Sequence, residues 1–203
     1  MKNRFALPLL SLLLLSVLPA CVPVVAAGAG ASVGVAAAQE GGVKTAYTDK
    51  AIYVRITDLW LKKSFEMYRK LDLNVKEGRV LVAGNLPTAD MRVEAIRLAW
   101  QAEGVKQVIN EVTFDDSGGI AGYATDSWIT GSIKTKIVFD KYVQSINYNI
   151  DTVNGTVYVM GIAQNQAELD RVLETARNTR YVKNVISYAR LRGETPPGTL
   201  PPS

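Results

Sequence analysis

The chain has no histidine and a single cysteine among its 203 residues. Without histidine, neither a Ser-His-Asp nor a Cys-His arrangement can be assembled. Zinc sites built on imidazole or on several thiolates are excluded for the same reason. Cys21 has no second thiol in the chain with which to form a disulfide. No phosphate-cradling pattern occurs, neither strand–GxGxxG–helix nor GxxxxGK(S/T). Glu66, Glu94, Glu168 and Glu174 are scattered and read as solvated surface. Excess charge is also scarce. Lys and Arg number 23 against 19 Asp and Glu, a net of +4. Setting Lys2 and Arg4 aside leaves 21 against 19, or +2, too mild to suggest nucleic acid. These absences predict a non-catalytic protein with no cofactor and no metal.

What is present begins with a targeting segment over 1–20. Lys2 and Arg4 precede a Leu-rich run, Phe5 to Leu18, too short to span a bilayer comfortably. It ends in Leu18-Pro19-Ala20-Cys21, close to a bacterial lipobox, with Pro19 departing from the usual spacer. Cys21 is therefore expected to carry diacylglycerol. An ordinary signal peptide and an uncleaved anchor are the alternatives. Residues 21–44 read as the lipidated cysteine followed by an Ala/Gly-rich tether. Within it, Ala26, Gly30, Gly34 and Ala38 form a small-xxx-small series. The Pro-rich tail, 193–203, is expected to be disordered.

Between these ends, one unit is written twice. Asp49, Ile52 and Ile56 recur as Asp126, Ile129 and Ile133, 77 positions on and without a gap. Gly78, Val80, Val82 and Gly84 recur as Gly155, Val157, Val159 and Gly161. Ala99, Val105, Val108 and Ile109 recur as Ala176, Val182, Val185 and Ile186. The matches fall on apolar and glycine positions, as expected for a tandem of one small fold. Each copy has about 70 residues, near the lower limit for a self-sufficient core. The copies should therefore lean on each other or on a partner.

Each copy predicts the order αββαβ, with a three-stranded sheet covered on one face by two helices. Ile129, Ile133 and Ile137 form one helix stripe, preceded by Asp126 as N-cap. Ile52, Ile56 and Leu59–Trp60 form the matching stripe. Glu77-Gly78 and Asn154-Gly155, each between alternating apolar residues, predict tight hairpins. The remaining glycines, Gly84 and Gly161, suit close packing. The second helices carry Val93, Ile96 and Ala99–Trp100, with Thr88 as cap, and Leu169, Leu173 and Ala176. Trp60 and Trp100 both read as core. Final strands run Val105 to Phe114 and Val182 to Leu191.

These motifs carry a resemblance. Val75-Lys76-Glu77-Gly78-Arg79-Val80-Leu81-Val82-Ala83-Gly84, followed by Val105-Lys106-Gln107-Val108-Ile109-Asn110, resembles the BON domain. The second copy is similar, Val153-Asn154-Gly155 through Gly161 with Val182-Lys183-Asn184-Val185-Ile186-Ser187, and Thr152 standing where valine is usual. A lipobox followed by two such domains resembles the dual-BON outer-membrane lipoproteins. The resemblance implies an α+β fold of two tandem BON domains, 45–114 and 123–192, joined by a linker at 115–122. It also implies residence at the periplasmic face of the outer membrane and a role in the integrity of that membrane. Val22, not Asp, follows the cysteine, in keeping with outer-membrane sorting.

The two copies differ on the first helix. On a helical wheel at about 100° per residue, Trp128, Thr135, Phe139 and Tyr142 fall within about 60° of one another, off the Ile stripe. Their matched positions are Ala51, Asp58, Lys62 and Phe65. Lys134, Lys136 and Lys141 lie on the same helix, read as Asp126 to Tyr142. Aromatic rings beside lysines suit a membrane interface. Packing of Trp128 and Phe139 against copy one or the linker is the plain alternative. The resemblance adds Trp128, Ile129 and Thr130 as the positions matching a lipid-binding helix, although Ile129 also belongs to the core stripe. The partner expected is an anionic phospholipid membrane; envelope proteins are the alternative.

Overall fold

The computed structural model describes residues 37–114 and 119–195. The signal segment, Cys21, nearly all of the tether and the tail from 196 onward lie outside the described residues. Copy one runs α1 (Gly42–Lys63), α2 (Phe65–Lys70), β1 (Leu71–Lys76), β2 (Arg79–Asn85), α3 (Ala89–Ala99) and β3 (Gln107–Thr113). Copy two runs α4 (Gly119–Phe139), a 3-10 turn (Ser145–Asn147), β4 (Tyr148–Val153), β5 (Thr156–Ala163), α5 (Gln166–Arg177), β6 (Asn184–Ser187) and β7 (Arg190–Leu191). In each sheet the hairpin strands are antiparallel, and the last strand returns parallel beside the middle one. The short β7 continues along β5, so the second sheet has four strands.

The helix stripes build the cores. Ile52, Ile56 and Trp60 are buried against Val80, Val82, Leu98 and Ala99. Ile129, Ile133 and Ile137 are buried against Val157, Val159, Val172 and Ala176. Trp60 donates its indole N–H to the Ala95 carbonyl at 3.0 Å. Thr88 caps α3 through Met91 N–H, and Asn165 caps α5 through Glu168 N–H. Two core expectations fail. Val93 and Trp100 are exposed, because α3 turns Ala95, Leu98 and Ala99 inward instead. Glu168 is buried, not solvated, and accepts from Gln144 and Gln164 N–H at 3.1 and 3.2 Å.

Asp126 is not an N-cap. The helix begins at Gly119, inside the stretch expected as linker, so Asp126 lies within it. Its carboxylate accepts from the backbone N–H groups of Asn154 and Gly155, both at 2.8 Å. Asp49 does the same to Glu77 and Gly78, at 2.8 and 2.9 Å. Each aspartate thus fastens its helix to its own hairpin turn. Both turns place two successive residues at positive φ, Glu77-Gly78 and Asn154-Gly155. That primed turn aims its N–H groups at the helix. Gly84 and Gly161 permit a close approach: a Cβ there would sit 2.2 Å from the Lys70 carbonyl oxygen and 2.4 Å from that of Asn147.

The second face of each sheet is covered by the other sheet. Leu81 and Ala83 pack with Val153, Tyr158 and Met160, flanked by Ile109, Ile186 and Tyr188. Leu81 and Tyr158 are repeat-related, as are Ala83 and Met160. Two polar contacts also join repeat-related residues: Asn74 donates to Asp151, and Tyr188 to Glu111, each pair 77 positions apart. Such pairs straddle a local two-fold axis between the sheets. Arg190 pairs with Glu77, and Asn85 exchanges hydrogen bonds with Asn154 at 3.3 and 3.1 Å. The result is four layers, helices–sheet–sheet–helices, with the helix layers on opposite sides. Residues before α1 also reach copy two. Glu40 N–H donates to Asn147 Oδ1 at 2.9 Å, and its carboxylate accepts from Gln164 at 3.0 Å.

The aspartate fastening carries a stability prediction. Asp49→Ala leaves two N–H groups of a packed turn without acceptors and should cost about 2–3 kcal/mol. Asp49→Asn, which keeps one acceptor oxygen, should cost less. Urea denaturation of both variants checks the order.

Candidate functional site

The outer layer of copy two carries an aromatic surface. Trp128 is 49% exposed on α4, and its ring meets that of Tyr181 edge to face, with centroids 5.6 Å apart and planes at 71°. Tyr181 lies in the turn after α5, and the Arg180 guanidinium sits 4.5 Å from its ring centre. At the far end of α4, Val138, Phe139 and Tyr142 are exposed, with Phe139 at 84%. Trp128 and Phe139 are 11 residues apart, roughly 16 Å along the helix. Lys141 and Arg171 lie 4.9 and 4.8 Å from the Tyr142 ring centre. Edge-to-face rings and stacked cations are favourable contacts even where water reaches them.

The residues expected at the site divide. Trp128, Thr135, Phe139, Tyr142 and Lys141 are exposed on this layer. Tyr142 is not on the helix, which stops at Phe139; it stands in the following turn, where Asp140 accepts its N–H at 2.9 Å. Ile129 is a correction: it is wholly buried in the core stripe and cannot touch a bilayer in this fold. Thr130 is half-buried and donates to Thr152 Oγ1 of β4 at 2.8 Å. Lys136 is also exposed and donates to Thr179 Oγ1, next to Arg180 and Tyr181, at 2.9 Å. Lys134 is exposed, and its charge favours ionisation of Asp72 and Asp151. Asp72 is nonetheless pushed up to about 6, first by desolvation and then by the charges of Asp151 and Asp126.

Sequence reasoning missed Arg171, Arg180 and Tyr181. A signal for two of them was available. Arg180-Tyr181 stands where copy one has Glu103-Gly104, so the two copies differ here in charge and in ring content. Gly104 has φ +91 and Tyr181 φ +68, so the turn is left-handed in both copies. For a glycine that geometry is free. For a tyrosine it costs roughly 1–2 kcal/mol.

Comparison with known proteins assigns the family. The BON domain family profile matches residues 60–116 and 125–193. The chain belongs to the BON-domain family. It is 41% identical over 147 residues to an uncharacterised protein from the gshII 5′ region of Anaplasma centrale, covering 71% of this chain and 95% of that one. It is 34% identical over 110 residues to the outer membrane lipoprotein DolP of Haemophilus influenzae, covering 54% of this chain and 56% of that one. It is 31% identical over 121 residues to the osmotically inducible protein Y of Escherichia coli, covering 58% and 60%. The chain thus spans little more than half the length of these last two relatives. Their names describe envelope and stress proteins and no enzyme. Among the described residues, no helix is long and apolar enough to cross a membrane.

A surface role for these rings separates them from the core in a mutational test. Trp128→Ala and Tyr181→Gly should each leave unfolding free energy within about 1 kcal/mol of the parent. Ile129→Ala, one helix position from Trp128, should cost about 2–5 kcal/mol. Denaturant titration of the three variants reads the difference.

Proposed function

We propose that this BON-domain protein is a non-catalytic, lipid-anchored envelope protein whose second domain binds anionic phospholipid. Cys21 would carry the anchor and hold the chain at the periplasmic face of the outer membrane. The outer layer of copy two would meet the bilayer through Trp128, Tyr181, Phe139 and Tyr142, with Arg180 and Lys141 beside the rings. Indole and phenol rings sit well at headgroup depth. Each nearby cation contributes about 1 kcal/mol at an anionic surface. Binding of this kind would serve the integrity of the outer membrane, in keeping with the lipoprotein name of the Haemophilus influenzae relative.

One observation carries this reading: Tyr181 occupies left-handed backbone where copy one keeps glycine, and so holds its ring against a half-exposed tryptophan. Neither ring lies in a hydrophobic core, and the exposed ring contacts offset that cost only in part. Backbone strain of this kind concentrates at binding sites.

The test is co-sedimentation of residues 37–203 with vesicles. Trp128→Ala and Tyr181→Gly should each lower affinity for phosphatidylglycerol-containing vesicles about tenfold, a loss of about 1.4 kcal/mol. Binding of the parent should weaken as salt rises. Vesicles of phosphatidylcholine alone should bind parent and variants alike, and weakly. Equal binding of parent and variants to the anionic vesicles would remove the proposal.

A further inference from the structure

The outward face of α1 carries a row of exposed apolar side chains set among charged ones. Val43, Tyr47, Val54 and Leu61 are 46%, 78%, 53% and 48% exposed. They fall within roughly 40° of one another on the helical wheel. Phe65, also exposed, continues the line beyond Ser64. Cations run beside and within it: Lys44, Arg55 and Lys62 on one flank, Lys50 between the apolar positions. One carboxylate, Asp58, shares this face. It is held by Lys62 at 2.8 Å and faces Arg55 at 3.9 Å. The other aspartate of α1, Asp49, is turned inward onto the hairpin.

We infer that this face is a second lipid-contacting surface, fitted to an anionic bilayer. An apolar stripe bordered by Lys and Arg is the arrangement of a helix lying in the membrane interface. The charge selects the occupant. A second copy docked two-fold on this stripe would bring the cations of the two chains, Lys44, Lys50, Arg55 and Lys62, close to one another. An anionic surface complements them. The four-layer architecture then adds a consequence, which rests also on the reading of α4 above. The α1 and α4 layers lie on opposite sides of the packed sheets, so a single flat bilayer cannot receive both outward faces. One molecule therefore presents lipid-binding surfaces in two directions and can join two bilayers.

Vesicle clustering tests this. The span 37–203 holds both hydrophobic cores and the whole sheet-to-sheet interface, and it lacks the signal segment. Mixed with vesicles containing phosphatidylglycerol, it should raise turbidity and energy transfer between separately labelled vesicles. Vesicles of phosphatidylcholine alone should not cluster. The double variant Val54→Glu/Leu61→Glu should still co-sediment within about threefold of the parent, while clustering falls by about tenfold or more. Its unfolding midpoint, unchanged from the parent, would exclude a folding defect, both positions being exposed. Clustering by the double variant equal to the parent, or no clustering by the parent, overturns the inference. So does a lipid-free dimer of the parent that the double variant abolishes, because the stripe would then serve a second copy. Failure of the α4 reading looks different: Trp128→Ala would bind as the parent does, while Val54→Glu/Leu61→Glu lost binding altogether.

Discussion

A three-stranded sheet has two faces, and two helices cover one of them. Everything else in this fold follows from how the uncovered face is buried. Here each copy supplies the cover for the other. Leu81 and Ala83 from one sheet meet Val153, Tyr158 and Met160 from the other, and repeat-related pairs such as Asn74 with Asp151 mark the two-fold axis between them. Leu81 and Ala83 of copy one stand at the positions that the bulkier Tyr158 and Met160 fill in copy two, so the two inner faces are not identical. The same packing drives the helices to the two outer layers and leaves their far sides to solvent.

Within each copy the aspartate between helix and hairpin sets the local geometry. Asp49 and Asp126 take up two N–H groups apiece from turns whose residues stand at positive φ. Helix, turn and sheet are thereby held as one unit, and the exposed side of the helix is held at a defined angle to the core. Ile129 and Trp128 illustrate the result. Adjacent in sequence, one is sealed in the stripe and the other stands half in water against Tyr181.

Much of the fold was legible in the sequence because periodicity and repetition report burial directly. The Ile stripes, both hairpins and the αββαβ order come from apolar spacing and from Glu77-Gly78 and Asn154-Gly155. Asp126 shows the limit. A capping residue and a residue that reaches across to a turn look the same in one dimension, and only the position of the hairpin separates them. Val93 and Trp100 were misplaced because α3 presents small residues, Ala95 and Ala99, to a crowded sheet and turns bulk outward. The candidate surface was legible where it follows the wheel of α4, at Trp128 and Phe139. It was hidden where it depends on the turn after α5, since Arg180 and Tyr181 are remote from α4 in sequence. The register comparison with Glu103 and Gly104 held that information. Lys136 belongs beside that turn, since it donates to Thr179, the residue before Arg180.

If the rings of the outer layer of copy two enter the headgroup region of an anionic bilayer, Trp128 reports their depth. In a chain with Trp60→Phe and Trp100→Phe, the remaining indole should shift its emission to the blue on addition of phosphatidylglycerol-containing vesicles. Lipids brominated near the headgroup should quench it more strongly than lipids brominated at the chain ends. An emission spectrum that stays the same, with no quenching by either lipid, would mean that Trp128 does not enter the bilayer.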